Sequence, residues 1–208
     1  MSTRNDGPRE SSRAMNLPEG TVAERLSSKQ LAFPEIFVFR SDGRSDDRGH
    51  VAPSFNAVQL QELGIDFVFW HENHCFSPSA GTVRGFHYQL PPHGQSKLIR
   101  VTRGRILDVN VDVRLGSPTF GQHVAQELTT DRWSQIYVPE GFAHCYCTLE
   151  DDCEVIFKLG HPYAPDHARG FAWNDPALAI DWPLNPTDAI VLQRDLDRPE
   201  FGELDEFF

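Results

Sequence analysis

The sequence predicts an all-β domain built as a sandwich or a barrel, and three observations lead to this prediction. Residues 107–113 alternate between apolar and polar side chains, which is the period of a strand with one buried face. Glycines separate further short apolar runs at loosely regular intervals between Gly94 and Gly160. A single stretch has helical spacing. Many short strands with such punctuation are typical of sandwiches and barrels.

The first quarter of the chain precedes most of the predicted strands. Residues 1–32 are rich in Ser, Arg and Glu and lack periodicity, which predicts a polar, mobile N-terminal tail. The main domain is predicted to occupy residues 33–200. Within it, residues 41–51 carry turn residues and closely spaced charges, and residues 54–64 predict one short helix that stops at Gly64.

Four segments predict strands, because they are apolar or alternate with a period of two. They are residues 67–70, 103–114, 135–139 and 154–160. After Gly170 a segment rich in Trp, Pro and Asp is predicted to wrap around the domain in an ordered way. The acidic end, residues 201–208, is predicted to be frayed.

Composition excludes several classes of function. Of the 208 residues, 39% are hydrophobic and 24% are charged, which is globular composition. The 19 basic and 30 acidic residues give a net charge of −11, which argues against a nucleic-acid binder and against attraction to anionic lipid. The sequence contains no apolar run long enough to span a bilayer and no apolar core of a secretory signal, so a cytoplasmic location is predicted.

The four cysteines predict free thiols rather than a metal site. No Cys-x-x-Cys spacing occurs, and Cys145 and Cys147 would lie on one face of a strand instead of around an ion. We therefore expect these cysteines to be small, buried, apolar side chains.

Two segments place polar side chains within otherwise apolar strands. In residues 81–100, an extended backbone directs His87 and Gln89 to the same face. Residues 137–147 carry a second histidine, His144. The two histidines are 57 residues apart, and we expect their strands to face each other across a barrel.

A histidine in each of two strand motifs resembles the cupin superfamily, whose fold is a double-stranded β-helix, or jelly roll. Gln89 stands at the ligand position after His87, and Thr148 replaces the asparagine of the second motif, after His144. Two of four ligands do not hold a catalytic metal well, so no metal is expected. On these residues alone, the histidines are either proton-transfer and hydrogen-bonding groups or satisfied core residues.

Longer blocks carry a more specific resemblance. Between Asp47 and Asp195 the chain contains, in order, the segments GTVRGFHYQ, KLIRV, GRILDVNVDVR, GSPTFG, IYVPEGFAH and WNDPALAIDWP. On these blocks it is identified as a member of the dTDP-4-dehydrorhamnose 3,5-epimerase family. The resemblance implies a metal-free cupin jelly roll that needs no cofactor and is usually a homodimer. The implied activity inverts C3 and C5 of a nucleotide-linked 4-keto-6-deoxyhexose.

The resemblance also implies roles for individual residues. The family chemistry needs a base, a group that stabilises an oxyanion and an acid opposite the base, because the 4-keto group acidifies the neighbouring C–H bonds. His87 matches the base, Asp195 its carboxylate partner, and Lys97 the cation beside the keto oxygen. The residues implied to bind the sugar, the phosphates or the nucleoside are Asn73, Arg84, Gln89, His144, Tyr146, Tyr163, Arg194 and, from the other subunit of a dimer, Arg48.

The chain departs from the family where the opposing acid is expected. The family has a tyrosine about 13 residues after the second histidine, whereas this chain has Phe157, which carries no proton to donate. Phe157 shares its predicted face with apolar neighbours, so we expect a packing residue. Tyr146 and Tyr137 are alternative donors, and the sequence does not choose between them. Three positions that match nucleoside or ligand contacts are also changed, namely Pro53, His71 and Ala168.

These observations lead to a nucleotide-sugar epimerase that inverts a single centre, C3, by proton abstraction next to a 4-keto group. One alternative is a related enolising isomerase, tautomerase or dehydratase, since these reactions begin with the same abstraction. Another alternative is a catalytically degenerate protein that only binds sugar nucleotides.

Overall fold

The structure, a computed structural model, describes residues 26–208 except residues 42, 67 and 132. The predicted tail therefore lies outside the described residues up to residue 25. The elements are, in chain order, β1 (Ser27–Gln30), β2 (Phe37–Arg40), β3 (Arg44–Asp46), β4 (Gly49–Val51), α1 (Ala57–Glu62), β5 (His71–Ser77), β6 (Thr82–Gln89), β7 (Lys97–Arg103), β8 (Arg105–Asp112), β9 (His123–Thr129), β10 (Gln135–Val138), β11 (Phe142–Thr148), β12 (Cys153–Leu159), β13 (Ala168–Arg169), β14 (Ile190–Val191) and α2 (Gln193–Leu196).

Two sheets form a sandwich, which confirms the all-β prediction. The first sheet has the strand order β1-β2-β10-β7-β12-β5, and the second has the order β13-β6-β11-β8-β9. Their pairs are antiparallel, and β14 adds a short parallel pairing to β6. β3 and β4 form a separate hairpin within the predicted turn region.

Three apolar clusters hold the layers together. Between the sheets, residues such as Ile99 and Val155 of the first sheet pack against Ile106 and Phe142 of the second. Helix α1 covers the outer face of the first sheet around Phe39. The segment after Gly170 covers the outer face of the second sheet with aromatic side chains, as predicted for a wrapping segment.

Strand β8 has the predicted alternation, but both of its faces are buried. Val109 and Val111 face the wrapping segment. The polar positions Asp108, Asn110 and Asp112 point to the other side and are also completely buried. The polar face of this strand therefore belongs to the interior between the sheets and not to the surface.

The two histidine strands are neighbours, so the expectation that they face each other across a barrel is wrong. β6 and β11 pair in the second sheet, and His87 is the direct antiparallel partner of His144. Gly85 permits this close approach, because a Cβ on it would lie 2.5 Å from the carbonyl oxygen of His144. Its φ of 127° is also a conformation that side chains rarely adopt.

Other local predictions have mixed outcomes. Helix α1 lies within residues 54–64, with the Asn56 side chain accepting a hydrogen bond from the Gln59 amide at its start and Gly64 just beyond its end. The strands predicted in 103–114, 135–139 and 154–160 are β8, β10 and β12. The strand predicted at 67–70 is wrong for its described residues, which are exposed and precede β5.

Both ends of the described chain are better ordered than predicted. Residues 27–30, assigned to the tail, form β1 on the edge of the first sheet, because Leu26 and Phe33 are buried on either side of it. The predicted fraying of residues 201–208 is also wrong. The Phe208 backbone pairs with Val113 and Leu115, while the phenylalanines of this segment pack on the second sheet.

Within the described part of the chain, no helix is long and apolar enough to cross a membrane. The cytoplasmic location stays a prediction.

Candidate active site

A cavity of about 750 Å³ opens between the two sheets. Its first wall comes from β5, β7 and β12, and its second from β6 and β11, while residues 190–198 close one side. This volume lies within the usual range for sites that bind small molecules. The cavity contains most of the predicted site residues, namely Asn73, Arg84, His87, Gln89, Lys97, His144, Tyr146, Phe157, Tyr163, Arg194 and Asp195.

His87 and Asp195 form the first histidine–carboxylate pair. Nε2 of His87 lies 2.8 Å from Oδ1 of Asp195, which is held in α2 and is buried. Burial alone would raise the pKa of Asp195, but the hydrogen bond from His87 and the charges of Arg194 and Arg198 outweigh it and lower that pKa. An ionised Asp195 accepts the Nε2 proton, which leaves the lone pair of the imidazole on Nδ1.

His144 belongs to a second pair that the sequence analysis missed. Its Nε2 lies 2.7 Å from Oδ2 of Asp108, and Asn110 donates to the other oxygen of that carboxylate at 2.7 Å. All three residues are buried. His144 was expected to contact the sugar or the phosphates, and only its Nδ1 remains for that contact. The signal that the sequence offered for this pair was the alternation in β8, which places Asp108 and Asn110 on the same face of one strand.

Lys97 lies at the start of β7 with its side chain buried. Its Nζ donates to the backbone oxygen of Gln95 at 3.1 Å. Burial lowers the pKa of Lys97 to about 8, although the charges of Asp108 and Glu140 act in the opposite direction. The cavity therefore holds an ammonium group in an environment where its charge is poorly solvated.

Phe157 lies in the wall opposite His87 and contacts two side chains of β11. Its ring centroid is 5.8 Å from that of His144, edge to face, and 5.7 Å from that of Tyr146. It also packs partly against the core between the sheets, as expected for a packing residue. Of the two tyrosines that were alternatives, Tyr146 lines the cavity, whereas Tyr137 packs under helix α1 on the outer face of the first sheet.

The cavity collects positive charge in an acidic protein. Arg84, Arg194 and Arg198 line it, while Arg169 at the same rim is neutralised by Glu206 at 2.6 Å. Arg198 was missed by the sequence analysis, and its only signal is a second arginine four positions after Arg194. This arrangement suits an anionic ligand such as a diphosphate.

Some predicted binding residues are placed differently. Both ends of the Gln89 amide are occupied, because it donates to His93 O and Pro162 O and accepts from the Ala164 amide. It shapes the loop that carries Tyr163, and both hydrogens of its amide group are already donated to backbone oxygens. Arg48 does not line the cavity of its own chain.

The Arg48 side chain is 88% exposed on the β3–β4 hairpin and pairs with Asp46 at 2.6 Å. Of the three changed positions, His71 and Ala168 line the cavity, and Pro53 does not.

The described residues contain no group of three or more His, Cys, Asp or Glu side chains arranged to hold a metal ion. Cys145, Cys147 and Cys153 are buried, as predicted, whereas Cys75 is partly exposed and lines the cavity. Cys145 and Cys147 lie in the apolar cluster outside the second sheet, and burial raises the pKa of both thiols.

Comparison with known proteins decides the family. Residues 30–203 match the family model described as dTDP-4-dehydrorhamnose 3,5-epimerase. The chain belongs to this family. It is therefore a nucleotide-sugar epimerase by family, an isomerase that acts on carbohydrates.

Individual relatives agree with this family and with its fold. A dTDP-4-dehydrorhamnose 3,5-epimerase from Sinorhizobium fredii is 38% identical over 185 residues, which cover 89% of this chain and 94% of the relative. The structure of dTDP-6-deoxy-D-glucose-3,5-epimerase from Legionella pneumophila in complex with dTDP-4-keto-L-rhamnose has a TM-score of 0.82 and 34% identity, covering 87% of this chain and 95% of that one. A 3'-monoepimerase from Streptomyces bikiniensis, in complex with dTDP-quinovose, has a TM-score of 0.76 and 31% identity, covering 82% and 86%. The cupin-type sandwich predicted for this chain is thus confirmed.

Proposed function

We propose that the protein epimerises a nucleotide-linked 4-keto-6-deoxyhexose at C3 alone. The observation that carries this proposal is the content of one cavity. The His87–Asp195 pair and the Lys97 ammonium line it, and a phenylalanine occupies the position of the family's opposing acid. The base and the oxyanion-stabilising group are therefore kept, and the donor at position 157 is lost.

In the proposed reaction, Nδ1 of His87 takes the C3 proton, and the electron pair of the broken bond moves through C4 to the keto oxygen. Asp195 stabilises the resulting imidazolium through its hydrogen bond to Nε2. Lys97 places its ammonium charge beside the enolate oxygen. Return of a proton to the opposite face of C3 inverts the centre, and solvent removes the proton held by His87.

Phe157 is the reason to propose one inversion instead of two. A benzyl side chain has no acidic proton, so residue 157 cannot donate to C3 and C5 as the tyrosine expected at this position would. The Streptomyces bikiniensis relative, named as a 3'-monoepimerase, supports the view that this scaffold accommodates inversion at one centre.

We also propose that the nucleotide diphosphate binds to Arg84, Arg194 and Arg198, with Tyr163 stacking on the base. Tyr163 is 65% exposed at the rim, so a planar base can reach it. Arg48, which lies outside its own cavity, is proposed to reach the cavity of the second subunit in a homodimer.

The test is proton NMR in D2O with 4-keto-6-deoxy sugars carried on dTDP, GDP, CDP and UDP. We expect deuterium and inversion at C3, with no inversion at C5, on at least one of the four nucleotides. His87→Ala should bind the same ligand without exchange. Inversion at both centres at comparable rates would overturn single-centre inversion. Binding without exchange on any of the four would favour the binding protein and overturn the enzymatic proposal.

A further inference from the structure

We infer that His93, His161 and His167 form a clasp that holds Tyr163 at the cavity rim while their imidazoles are uncharged and releases it when they are protonated. This inference rests on the proposed function, in which Tyr163 stacks on the nucleotide base. It makes His93 a positioning residue for nucleotide binding and gives that binding a dependence on pH.

His93 lies between the two other histidines. Its ring centroid is 4.2 Å from that of His167 and 4.9 Å from that of His161, edge to face in both cases. His161 and His167 are the two ends of the segment that carries Tyr163, which we call the Tyr163 loop (residues 161–167). A single side chain therefore contacts this loop at both of its ends.

Hydrogen bonds hold the same loop nearer to its middle. The Gln89 amide donates to Pro162 O and accepts from the Ala164 amide, on either side of the tyrosine. The Gln95 side chain donates to His161 O at 2.7 Å. None of these bonds involves a titratable side chain, so a response of the loop to pH must come from the imidazoles.

The surroundings of His93 favour its uncharged form. Burial lowers the pKa of His93, and the charges of His167 and His161 lower it further. Its Nδ1 is shielded from solvent, and no described group forms a hydrogen bond with it. An imidazolium carries a proton on both nitrogens, so a charged His93 would have an unpaired N–H donor at this atom.

The acidic side chains near the cluster do not compensate for a charge on His93. They are Glu140 beside Gly94, Asp166 next to His167 in the sequence, and Glu206. Glu140 acts on the charge of Lys97, Glu206 is paired with Arg169, and the third acid is exposed to solvent. The electrostatic effects on His93 come from the two other histidines.

The direction of the pH effect follows from these surroundings. His93 is less basic in the clasp than it would be in an open loop, so the clasp is stable above the ordinary pKa of histidine and weakens as the pH falls below it. Two imidazolium groups at these distances would also repel each other. Base stacking on Tyr163 and protonation of the clasp therefore oppose each other, and each lowers the affinity for the other.

The test compares the parent with His93→Phe, which keeps an aromatic ring without a titratable nitrogen. The probe is an NDP-glucose that carries the nucleoside bound best among thymidine, guanosine, cytidine and uridine, because its diphosphate keeps a constant charge between pH 7.5 and pH 5.5. We expect the affinity of the parent, relative to that of the variant, to fall at least about fivefold over this range. Protonation of His71, His87 and His144 in the cavity affects both proteins and cancels in the ratio.

His123→Phe is the matched control, because it makes the same substitution on β9, outside the clasp. It should follow the pH dependence of the parent. An equal pH dependence of the parent and His93→Phe would overturn the inference.

A second measurement needs no variant at His93. In NMR titrations of the parent, the His93 imidazole should titrate at lower pH with the NDP-glucose bound than without it. The negative charge of a bound diphosphate alone would have the opposite effect. A His93 titration that is unchanged or moved to higher pH would overturn the inference.

Tyr163→Ala separates this inference from the proposed function. If this variant binds the NDP-glucose like the parent at pH 7.5, base stacking fails and the clasp has no role in binding. If it binds more weakly while the parent and His93→Phe share one pH dependence, base stacking stands and the clasp alone fails.

Discussion

The lowered pKa of Lys97 leads us to predict that activity falls at alkaline pH. Burial lowers its pKa from 10.5 to about 8, and the proposed role requires the charged form. The Lys97 amino group is then about 90% protonated at pH 7 and about 10% protonated at pH 9. Because a depressed lysine pKa means that charge is lost as pH rises through it, kcat/KM should fall about tenfold per pH unit above pH 8.

Initial rates of C3 exchange from pH 6 to pH 10 measure this limit. The alkaline limb, which is the fall in rate at high pH, should lie at higher pH for kcat than for kcat/KM, because a bound diphosphate favours the ammonium form of Lys97. Lys97→Met should be slow and lack this limb. Glu140→Gln should move the limb to lower pH, since Glu140 raises the pKa of Lys97. A parental kcat/KM that is flat up to pH 9.5 would refute the reasoning.

Two further predictions concern Asp195 and Arg48. Asp195→Asn should lower the rate of C3 exchange about 10²-fold or more with nucleotide affinity kept, because the imidazolium loses its carboxylate partner. Asp197→Asn in the same segment is the matched control, and an equal effect of both changes would contradict the pairing. Arg48→Ala should weaken nucleotide binding about 10-fold or more, as for loss of a charge-assisted hydrogen bond. When Arg48→Ala and His87→Ala subunits are mixed in equal amounts, half of the dimers contain one subunit of each kind. If Arg48 acts across a homodimer, one of the two sites in each mixed dimer is intact, so about a quarter of all sites should be restored. If Arg48 acts within its own chain, no site should be restored.

The sequence predicted strand β8 but not the direction of its polar face. Alternation shows that two faces differ, and it does not show what covers each of them. Here the segment after Gly170 covers the apolar face, so Asp108 and Asn110 point into the space between the sheets. The same covering explains the ordered end of the chain, because its phenylalanines find an apolar surface that is remote in sequence.

The resemblance indicated individual site residues but not how they combine. His87 and Asp195 are 108 residues apart, and only the fold brings them to 2.8 Å. The pairing of His144 with Asp108 follows from the β8–β11 register, which the motif spacing does not determine. Gln89 shows the opposite outcome, since the loop that packs over it occupies the amide that the motif offers to a ligand.

The two histidine–carboxylate pairs are neighbours on one sheet, and burial separates their roles. The His87 side chain is 38% exposed, whereas the His144 side chain is 6% exposed beside a completely buried Asp108. A general base must release its proton to solvent after every turnover, and His87 has the access to do so. A sealed imidazole between Asp108 and Phe157 instead offers a fixed hydrogen-bonding group that needs no exchange with water. The same chemical pair is therefore proposed to serve as base at one position and as a preorganised contact at the other.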